Sequence, residues 1–215
     1  VKNFFDKNQV DALLKLYKDL PIEIFNKRQN IVKKKWSDQF EIDLQKIFVD
    51  KLKSEIGDFF MDNPKTKDNF KSLGLFQESF SPVSVHADTG FDFDKIIYKQ
   101  TLMPLTSRGE TVVFKNTFYG CSTTFSIDPE ELKAKGYNKR SSEHINLYNK
   151  KEFDQSTHKK YLAHEDINNL KGLEVDMIYE WKPGDLLVFD RTRLHCSSSN
   201  LVEKKIGFTT ATSKN

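Results

Sequence analysis

Near its C-terminal end the sequence reads Trp181-Lys182-Pro183-Gly184-Asp185-Leu186-Leu187-Val188-Phe189-Asp190. The Pro-Gly pair predicts a turn, and the four apolar residues before Asp190 are typical of a short buried strand. After a brief connection the chain continues as Leu194-His195-Cys196-Ser197, which also has the length and composition of a strand. This stretch predicts two short, neighbouring strands, with a histidine on the second.

The same texture extends from residue 73 to the end of the chain, where short runs of Val, Ile, Phe and Thr alternate with Gly, Pro, Asn and Asp. Such alternation is typical of antiparallel β folds. The number of runs suits a jelly roll, so we predict a mainly β fold with flanking helices, a double-stranded β-helix or cupin-like barrel. The predicted strands cover 75–80, 83–87, 96–104, 111–114, 121–126, 175–181, 185–190, 194–198 and 206–212.

Before residue 73, apolar residues recur at helical spacing. They predict one helix that is capped by Asn8 and ended by Pro21, and a second over about 42–56 that is ended by Gly57. The intervening run Lys33-Lys34-Lys35 is predicted to form a solvated face.

A strongly polar segment interrupts the β pattern between residues 128 and 171. Asp128, Pro129 and Gly136 predict a short helix, and a second is expected at about 164–170. Insertions of this length commonly serve as lids or binding loops. We therefore expect one domain over 1–215, with a helical flank at 1–72, a barrel core at 73–128 and 172–212, and a polar insert at 129–171 that acts as a lid.

The composition excludes several classes of protein. The chain has 215 residues, of which 37% are hydrophobic, and it contains no apolar segment long enough to cross a bilayer. Its start shows no secretion signal, so we expect a soluble, cytoplasmic protein without a membrane partner. Because the net charge is only +3, composition gives no indication of a nucleic-acid partner.

The residues that indicate chemistry begin with Val83-Ser84-Val85-His86-Ala87-Asp88-Thr89-Gly90. In a strand, His86 and Asp88 point to the same side and can bind one metal ion. A His-x-Asp pair alone is weak evidence, but His195 offers a third ligand in a strand of its own. Two histidines and one carboxylate form the facial triad of non-haem Fe(II) enzymes, which leaves coordination positions open for substrate and oxygen.

Together, His86-Ala87-Asp88, the segment 183–190 and the distal His195 resemble the Fe(II)/2-oxoglutarate-dependent dioxygenases, particularly the phytanoyl-CoA hydroxylase-like branch. The resemblance covers about residues 83–212. It implies that Fe(II), 2-oxoglutarate and O2 are used, that succinate and CO2 form, and that an unactivated C–H bond is hydroxylated. It also implies that His86, Asp88 and His195 hold the iron.

The resemblance further implies a basic residue about ten positions beyond the distal histidine, which pairs with the far carboxylate of 2-oxoglutarate. Lys205 occupies that position, where family members usually carry Arg, and Thr209 is the nearest hydroxyl on the same strand face. Lys204 faces the other way in a regular strand and is a second candidate. Lys99 is a third, and its neighbours Tyr98 and Thr101 are candidates to hydrogen-bond the cosubstrate or are ordinary strand residues.

Several assignments stay open at this stage. Arg191 and Arg193 either bind an acidic substrate or pair with Asp190 or Asp185. The remaining histidines, which all lie in the polar insert, are expected at the surface. Two other functions also fit: a cupin-like metalloenzyme that does not use 2-oxoglutarate, and a non-catalytic β-sandwich binding module. The expected substrate is a small molecule or an amino-acid side chain, and the polar insert and the N-terminal region carry no motif that separates the two.

Overall fold

The computed structural model describes residues 1–27, 30–62, 65–88, 96–117, 151–201 and 203–214. The strand predicted at 121–126, the helix predicted from Asp128 to Gly136, and His144 lie outside these residues. None of the helices in the described ranges is long and apolar enough to span a membrane. The cytoplasmic location stays a prediction.

Three α-helices and ten strands make up the regular structure of the described residues. The helices are α1 (Lys7–Asp19), α2 (Ile42–Ile56) and α3 (Gln155–Tyr161), and a 3-10 helix follows at Ile167–Leu170. The strands are β1 (Ile24–Asn26), β2 (Ile31–Ser37), β3 (Phe60–Met61), β4 (Ser72–Ser79), β5 (Ile96–Pro104), β6 (Glu110–Thr117), β7 (Val175–Glu180), β8 (Leu187–Asp190), β9 (Arg193–Ser197) and β10 (Lys205–Lys214).

The strands form two antiparallel sheets. The major sheet has the order β1-β2-β4-β10-β5-β8, with β3 also paired to β10, and the minor sheet has the order β7-β6-β9. The segment 83–87 was predicted as a strand, but it does not form a regular one. It joins the minor sheet through one bridge, in which His86 and His195 exchange backbone hydrogen bonds of 2.9 Å. This arrangement confirms the predicted double-stranded β-helix.

The two N-terminal helices cover the outer face of the major sheet. Helix α2 has the predicted bounds, whereas α1 begins after Asp6 and not after Asn8. The Asp6 carboxylate accepts a hydrogen bond from the Gln9 backbone amide, and the Gln9 side chain accepts one from the Asp6 backbone amide. These two reciprocal bonds cap the start of α1. The apolar residues of both helices pack on sheet residues that include Trp36, Phe76 and Phe208.

Strand β2 corrects the prediction for the lysine run. Lys33-Lys34-Lys35 was expected to form a solvated face between two helices, but it forms the middle of a strand that pairs with β4 over seven residues. The apolar side chains of Ile31, Val32 and Trp36 are buried and fix this strand in the sheet. The segment predicted as a purely helical flank therefore contributes strands to the major sheet.

Gly184, in the turn before β8, touches the N-terminal segment of the chain. Its φ of +83° is a conformation that favours glycine, and its carbonyl oxygen accepts a 2.8 Å hydrogen bond from the Phe5 amide. A Cβ atom added at Gly184 would overlap the carbonyl oxygen of Phe5. We therefore expect Gly184→Ala to lower the free energy of unfolding by about 3 kcal/mol in denaturant titrations, since backbone strain and a steric clash combine.

Gly109 provides the matched control for this variant. It also has a positive φ, of +73°, but a Cβ atom there would make ordinary contacts of 3.7 and 3.8 Å. Gly109→Ala should cost about 1 kcal/mol, because only the backbone strain remains. Equal losses for the two variants would show that the contact between Gly184 and Phe5 does not constrain the turn.

Candidate metal centre and cosubstrate pocket

A cavity of about 840 Å³ lies between the two sheets. Alternate residues of the major-sheet strands line it, among them Leu75 and Gln77 on β4 and Gly207 and Thr209 on β10. Intervening residues such as Phe76 and Phe208 point into the core under the helices. The period-two pattern of each strand therefore separates the cavity wall from the core.

His86, Asp88 and His195 lie together on the wall of this cavity. Each offers a ligand atom, and the three atoms lie within 4.8 Å of one another. The Asp88 carboxylate is 3.9 Å from Nε2 of His86 and 3.4 Å from Nε2 of His195. The backbone bridge between the two histidines places their rings 4.2 Å apart, centroid to centroid.

Backbone carbonyls orient both imidazole rings. Nδ1 of His86 lies 2.7 Å from the carbonyl oxygen of Ser84, and Nδ1 of His195 lies 3.1 Å from that of Arg193. Because a carbonyl can only accept, these contacts favour a proton on Nδ1 and leave the Nε2 lone pairs directed at the shared point. The ring of Phe189 packs against that of His195 at a centroid distance of 4.8 Å and limits its rotation.

The charges in this cluster favour a neutral imidazole beside an ionised carboxylate. Burial and then the neighbouring His195 lower the pKa of His86 to about 4, although Asp88 acts in the opposite direction. Burial alone would raise the pKa of Asp88, but the contact with His195 and the charge of His86 outweigh it and hold that pKa below its usual range. Two nitrogen donors and one anionic oxygen are the ligand set that non-haem iron prefers, so the residues fit a divalent transition metal.

Lys205 lies at the start of β10 with its ammonium group inside the same cavity, and only 4% of the residue is exposed. Its Nζ donates a 2.8 Å hydrogen bond to Oγ of Ser197 and lies 4.5 Å from the centre of a Trp181 ring. Burial lowers the pKa of Lys205 to about 8. No carboxylate contacts the ammonium among the described residues, so it can pair with an anionic ligand.

Three residues near Lys205 were not predicted from the sequence as part of the site. Ser197, Thr111 and Trp181 line the cavity, and the Trp181 indole donates a 2.8 Å hydrogen bond to Oγ1 of Thr111. Ser197 could have been found, because it lies two residues beyond His195 and therefore on the same strand face. Thr111 could not, because its place depends on the pairing of Thr111 with Ser197 between β6 and β9.

The other candidates for binding the cosubstrate are less favourably placed. Thr209 lines the cavity, and its hydroxyl lies 3.4 Å from the carbonyl oxygen of Leu75. Lys204 points away from the cavity towards Glu78, at 3.4 Å. Lys99 also lies outside the cavity lining and forms a 2.5 Å ion pair with Asp190, its register partner on β8.

Neither Tyr98 nor Thr101 reaches the cavity lining. The Tyr98 hydroxyl donates a 2.9 Å hydrogen bond to the carbonyl oxygen of Ile56, at the end of α2. Oγ1 of Thr101 lies 2.7 Å from Oγ1 of Thr210, and both residues are buried. The structure gives these two residues roles in packing the major sheet.

The two arginines before His195 differ in position. Arg191 lines the cavity, forms an ion pair with Asp62 and donates a 3.1 Å hydrogen bond to the backbone oxygen of Asp88. Arg193 lies outside the cavity lining and pairs with Asp176 at 2.9 Å. Each arginine therefore forms an ion pair, which was one of the two predicted roles. The partners are Asp62 and Asp176, and not the expected Asp190 or Asp185.

His158 and His164 were predicted at the surface but are half-buried, because α3 and the 3-10 helix pack on the minor sheet. Nε2 of His158 lies 2.9 Å from the backbone oxygen of Glu165, and Nδ1 of His164 lies 2.9 Å from the Ser199 hydroxyl. Neither belongs to the cluster of His86, Asp88 and His195.

Comparisons with known proteins rest on structure alone. No protein-family model matches the chain, and no curated protein is significantly similar to it in sequence. An oxidoreductase of the 2OG-Fe(II) oxygenase family from Burkholderia pseudomallei matches with a TM-score of 0.55 at 10% identity, over 99% of this chain and 82% of that one. HygX from Streptomyces hygroscopicus, with nickel and 2-oxoglutarate bound, matches with a TM-score of 0.52 at 9% identity, over 100% and 82%.

A third match comes from nogalamycin biosynthesis. The non-haem α-ketoglutarate-dependent epimerase SnoN has a TM-score of 0.51 at 9% identity, over 100% of this chain and 77% of the other. At such low identities the likeness concerns the fold. The chain therefore has the double-stranded β-helix fold that these Fe(II)/2-oxoglutarate oxygenases share.

Proposed function

We propose that this protein is an Fe(II)- and 2-oxoglutarate-dependent oxygenase that hydroxylates a C–H bond of its substrate, and that His86, Asp88 and His195 are its iron ligands. The observation that carries the proposal is the convergence of three ligand atoms within 4.8 Å in a cavity that also contains the ammonium group of Lys205. A metal site and a buried cation in one cavity are what a dianionic, metal-chelating cosubstrate requires.

The residues of the chain have distinct tasks in this proposal. The triad holds Fe(II) on one side and leaves its remaining coordination positions to ligands in the cavity. Lys205 binds the far carboxylate of 2-oxoglutarate, with the Ser197 hydroxyl beside its ammonium group and Thr111 in the same cavity wall. When bound, Fe(II) and 2-oxoglutarate supply the activation of O2, with release of succinate and CO2. Arg191 acts as a positioning residue, because it holds the backbone of Asp88.

Two further assignments concern the class of substrate and the branch of the superfamily. HygX and SnoN, which share the fold, have been crystallised with hygromycin B and with a nogalamycin compound respectively. By analogy we propose a small molecule or a side chain as the substrate. Membership of the phytanoyl-CoA hydroxylase-like branch is also a proposal, and it rests on the spacing of His86, Asp88, His195 and Lys205.

Calorimetric titrations distinguish this function from the two alternatives. We expect the protein to bind one Ni(II) or anaerobic Fe(II), and the metal-loaded protein to bind one 2-oxoglutarate. A cupin-like metalloenzyme without this cosubstrate would bind the metal but not 2-oxoglutarate. A non-catalytic binding module would bind neither, and either result would contradict the proposal.

A further inference from the structure

The three consecutive lysines of β2 have unequal surroundings. Lys34 is buried, and its ammonium group donates to the backbone oxygen of Tyr17 at 2.7 Å and lies 4.5 Å from the centre of the Tyr17 ring. Lys35 donates to the backbone oxygen of Lys65 and lies 3.8 Å from the Glu23 carboxylate. Lys33 has no side-chain hydrogen bond or ion pair with any residue that the structure describes, although it is half-buried and lines the cavity.

Lys33 faces the metal centre. It pairs with Gln77 of β4, which pairs in turn with Gly207 of β10, and all three residues line the cavity. His86, Asp88 and His195 line the same cavity. Lys71, on the segment just before β4, adds a second cation to the cavity lining.

The charges that line the cavity are not balanced by the proposed ligands. Arg191 is paired with Asp62. In the loaded site, the positive charges of Fe(II) and Lys205 are matched by Asp88 and the dianionic 2-oxoglutarate. Lys33 and Lys71 are then left without a counter-charge among the described lining residues. Lys33, half-buried in the cavity wall and without a partner among the described residues, is therefore available to an anionic ligand.

Lys33 and Lys205 lie on different strands of the major sheet, with β4 between them. The register places Ile31 opposite Ser79 and Ser79 opposite Lys205, and Lys33 lies two residues beyond Ile31. Two strand spacings and one two-residue step separate the Cα atoms of Lys33 and Lys205 by about 12 Å. The Lys205 ammonium is held by Ser197 and Trp181, so Lys33, which has no side-chain partner among the described residues, is the cation available to a different molecule.

From this geometry we infer that the substrate carries an anionic group, a carboxylate or a phosphate, and that Lys33 is its recognition residue. The inference rests on the proposed function and adds the substrate class to it. An ammonium group serves either anion as a point charge, so the structure does not favour one of the two. The carbon to be oxidised would lie between this anionic group and the iron.

Probes that differ only in charge test the inference on the full chain loaded with Ni(II) and 2-oxoglutarate. The dissociation constants of benzoate, phenyl phosphate and benzamide are measured by calorimetry for the wild-type protein and for Lys33→Gln, Lys33→Arg and Lys15→Gln. Lys15 is exposed on α1 and provides the matched control. We expect at least one anion to bind tenfold or more tightly than benzamide. Lys33→Gln should reduce that preference at least fivefold, while Lys33→Arg and Lys15→Gln retain it.

The relative affinities of benzoate and phenyl phosphate then identify the anion. Equal affinities for the anions and benzamide in the wild-type protein would overturn the inference, as would an unchanged preference in Lys33→Gln. A tenfold weaker binding of 2-oxoglutarate to Lys33→Gln would also overturn it, because Lys33 would then bind the cosubstrate. Circular dichroism melting curves verify that each variant is folded. Failure of the wild-type protein to bind Ni(II) or 2-oxoglutarate, seen before any probe is added, would contradict the proposed function itself.

Discussion

Asp88→Ala is expected to weaken the binding of Fe(II) or Ni(II) at least 100-fold in anaerobic calorimetric titrations. The variant removes one of three ligands and the only carboxylate of the His86, Asp88 and His195 cluster. Two imidazoles 4.2 Å apart then remain without an anion to offset the charge of the metal. The loss should occur without unfolding, because the Asp88 side chain is partly exposed to the cavity.

Asp190→Ala is the matched control for this variant. Asp190 is also an aspartate and lies five residues before His195 in the sequence, at the end of β8, but it pairs with Lys99 and does not line the cavity. The Asp190→Ala variant should leave the affinity for the metal within twofold of the wild-type value. Wild-type affinity in Asp88→Ala, or an equal loss in both variants, would show that the cluster is not the metal site.

Lys205→Met is expected to raise the dissociation constant of 2-oxoglutarate about 10- to 100-fold, measured on Ni(II)-loaded protein. Methionine fills a similar volume without a charge, so the variant removes the ammonium group together with its contacts to Ser197 and Trp181. A charge-assisted hydrogen bond at a buried site contributes about 1.5–3 kcal/mol, which corresponds to this range. Lys99→Met and Lys204→Met, which remove the two alternative lysines, should leave the constant unchanged because both side chains point elsewhere.

The same site should make cosubstrate binding depend on pH. The pKa of Lys205 in the free protein is about 8, so its ammonium group loses a proton as the pH rises through that value. We expect the dissociation constant of 2-oxoglutarate to rise above pH 8, by up to tenfold per pH unit. Lys205→Arg should remove this dependence up to pH 9.5, since a guanidinium stays charged. A flat profile in the wild-type protein would contradict the role of Lys205.

Sequence patterns predicted the regular elements best where one face of an element is apolar. Helix α2 and strand β5 have the predicted bounds. The run of apolar residues in α2 ends at Gly57, and the run of strand-forming residues in β5 ends at Pro104. Strand β2 was missed because three adjacent lysines hide its period-two pattern: one points to the cavity, one enters the core beside Tyr17, and one pairs with Glu23. Long side chains with apolar stems can occupy all of these places, and only the paired strands show which.

Proximity in the sequence decided what could be predicted of the site. His86 and Asp88 were found through their two-residue spacing, and His195 through the strand that precedes it. The structure brings all three together. Tyr98, Lys99 and Thr101 were candidates because they lie on the strand after the His-x-Asp segment, yet none of the three lines the cavity, and Lys99 instead contacts the adjacent β8. Ser197 follows from its two-residue spacing to His195, whereas Thr111 joins the cavity wall through its pairing with Ser197, which a single sequence does not encode locally.

The formation of succinate is the most direct test of the proposed function. Wild-type protein, given Fe(II), O2 and 2-oxoglutarate, should convert 2-oxoglutarate to succinate and CO2 in equal amounts, and an anionic substrate should accelerate this reaction. The Asp88→Ala protein provides the background under the same conditions. Succinate well above that background would agree with an Fe(II)- and 2-oxoglutarate-dependent oxygenase, whereas equal amounts from both proteins would contradict it.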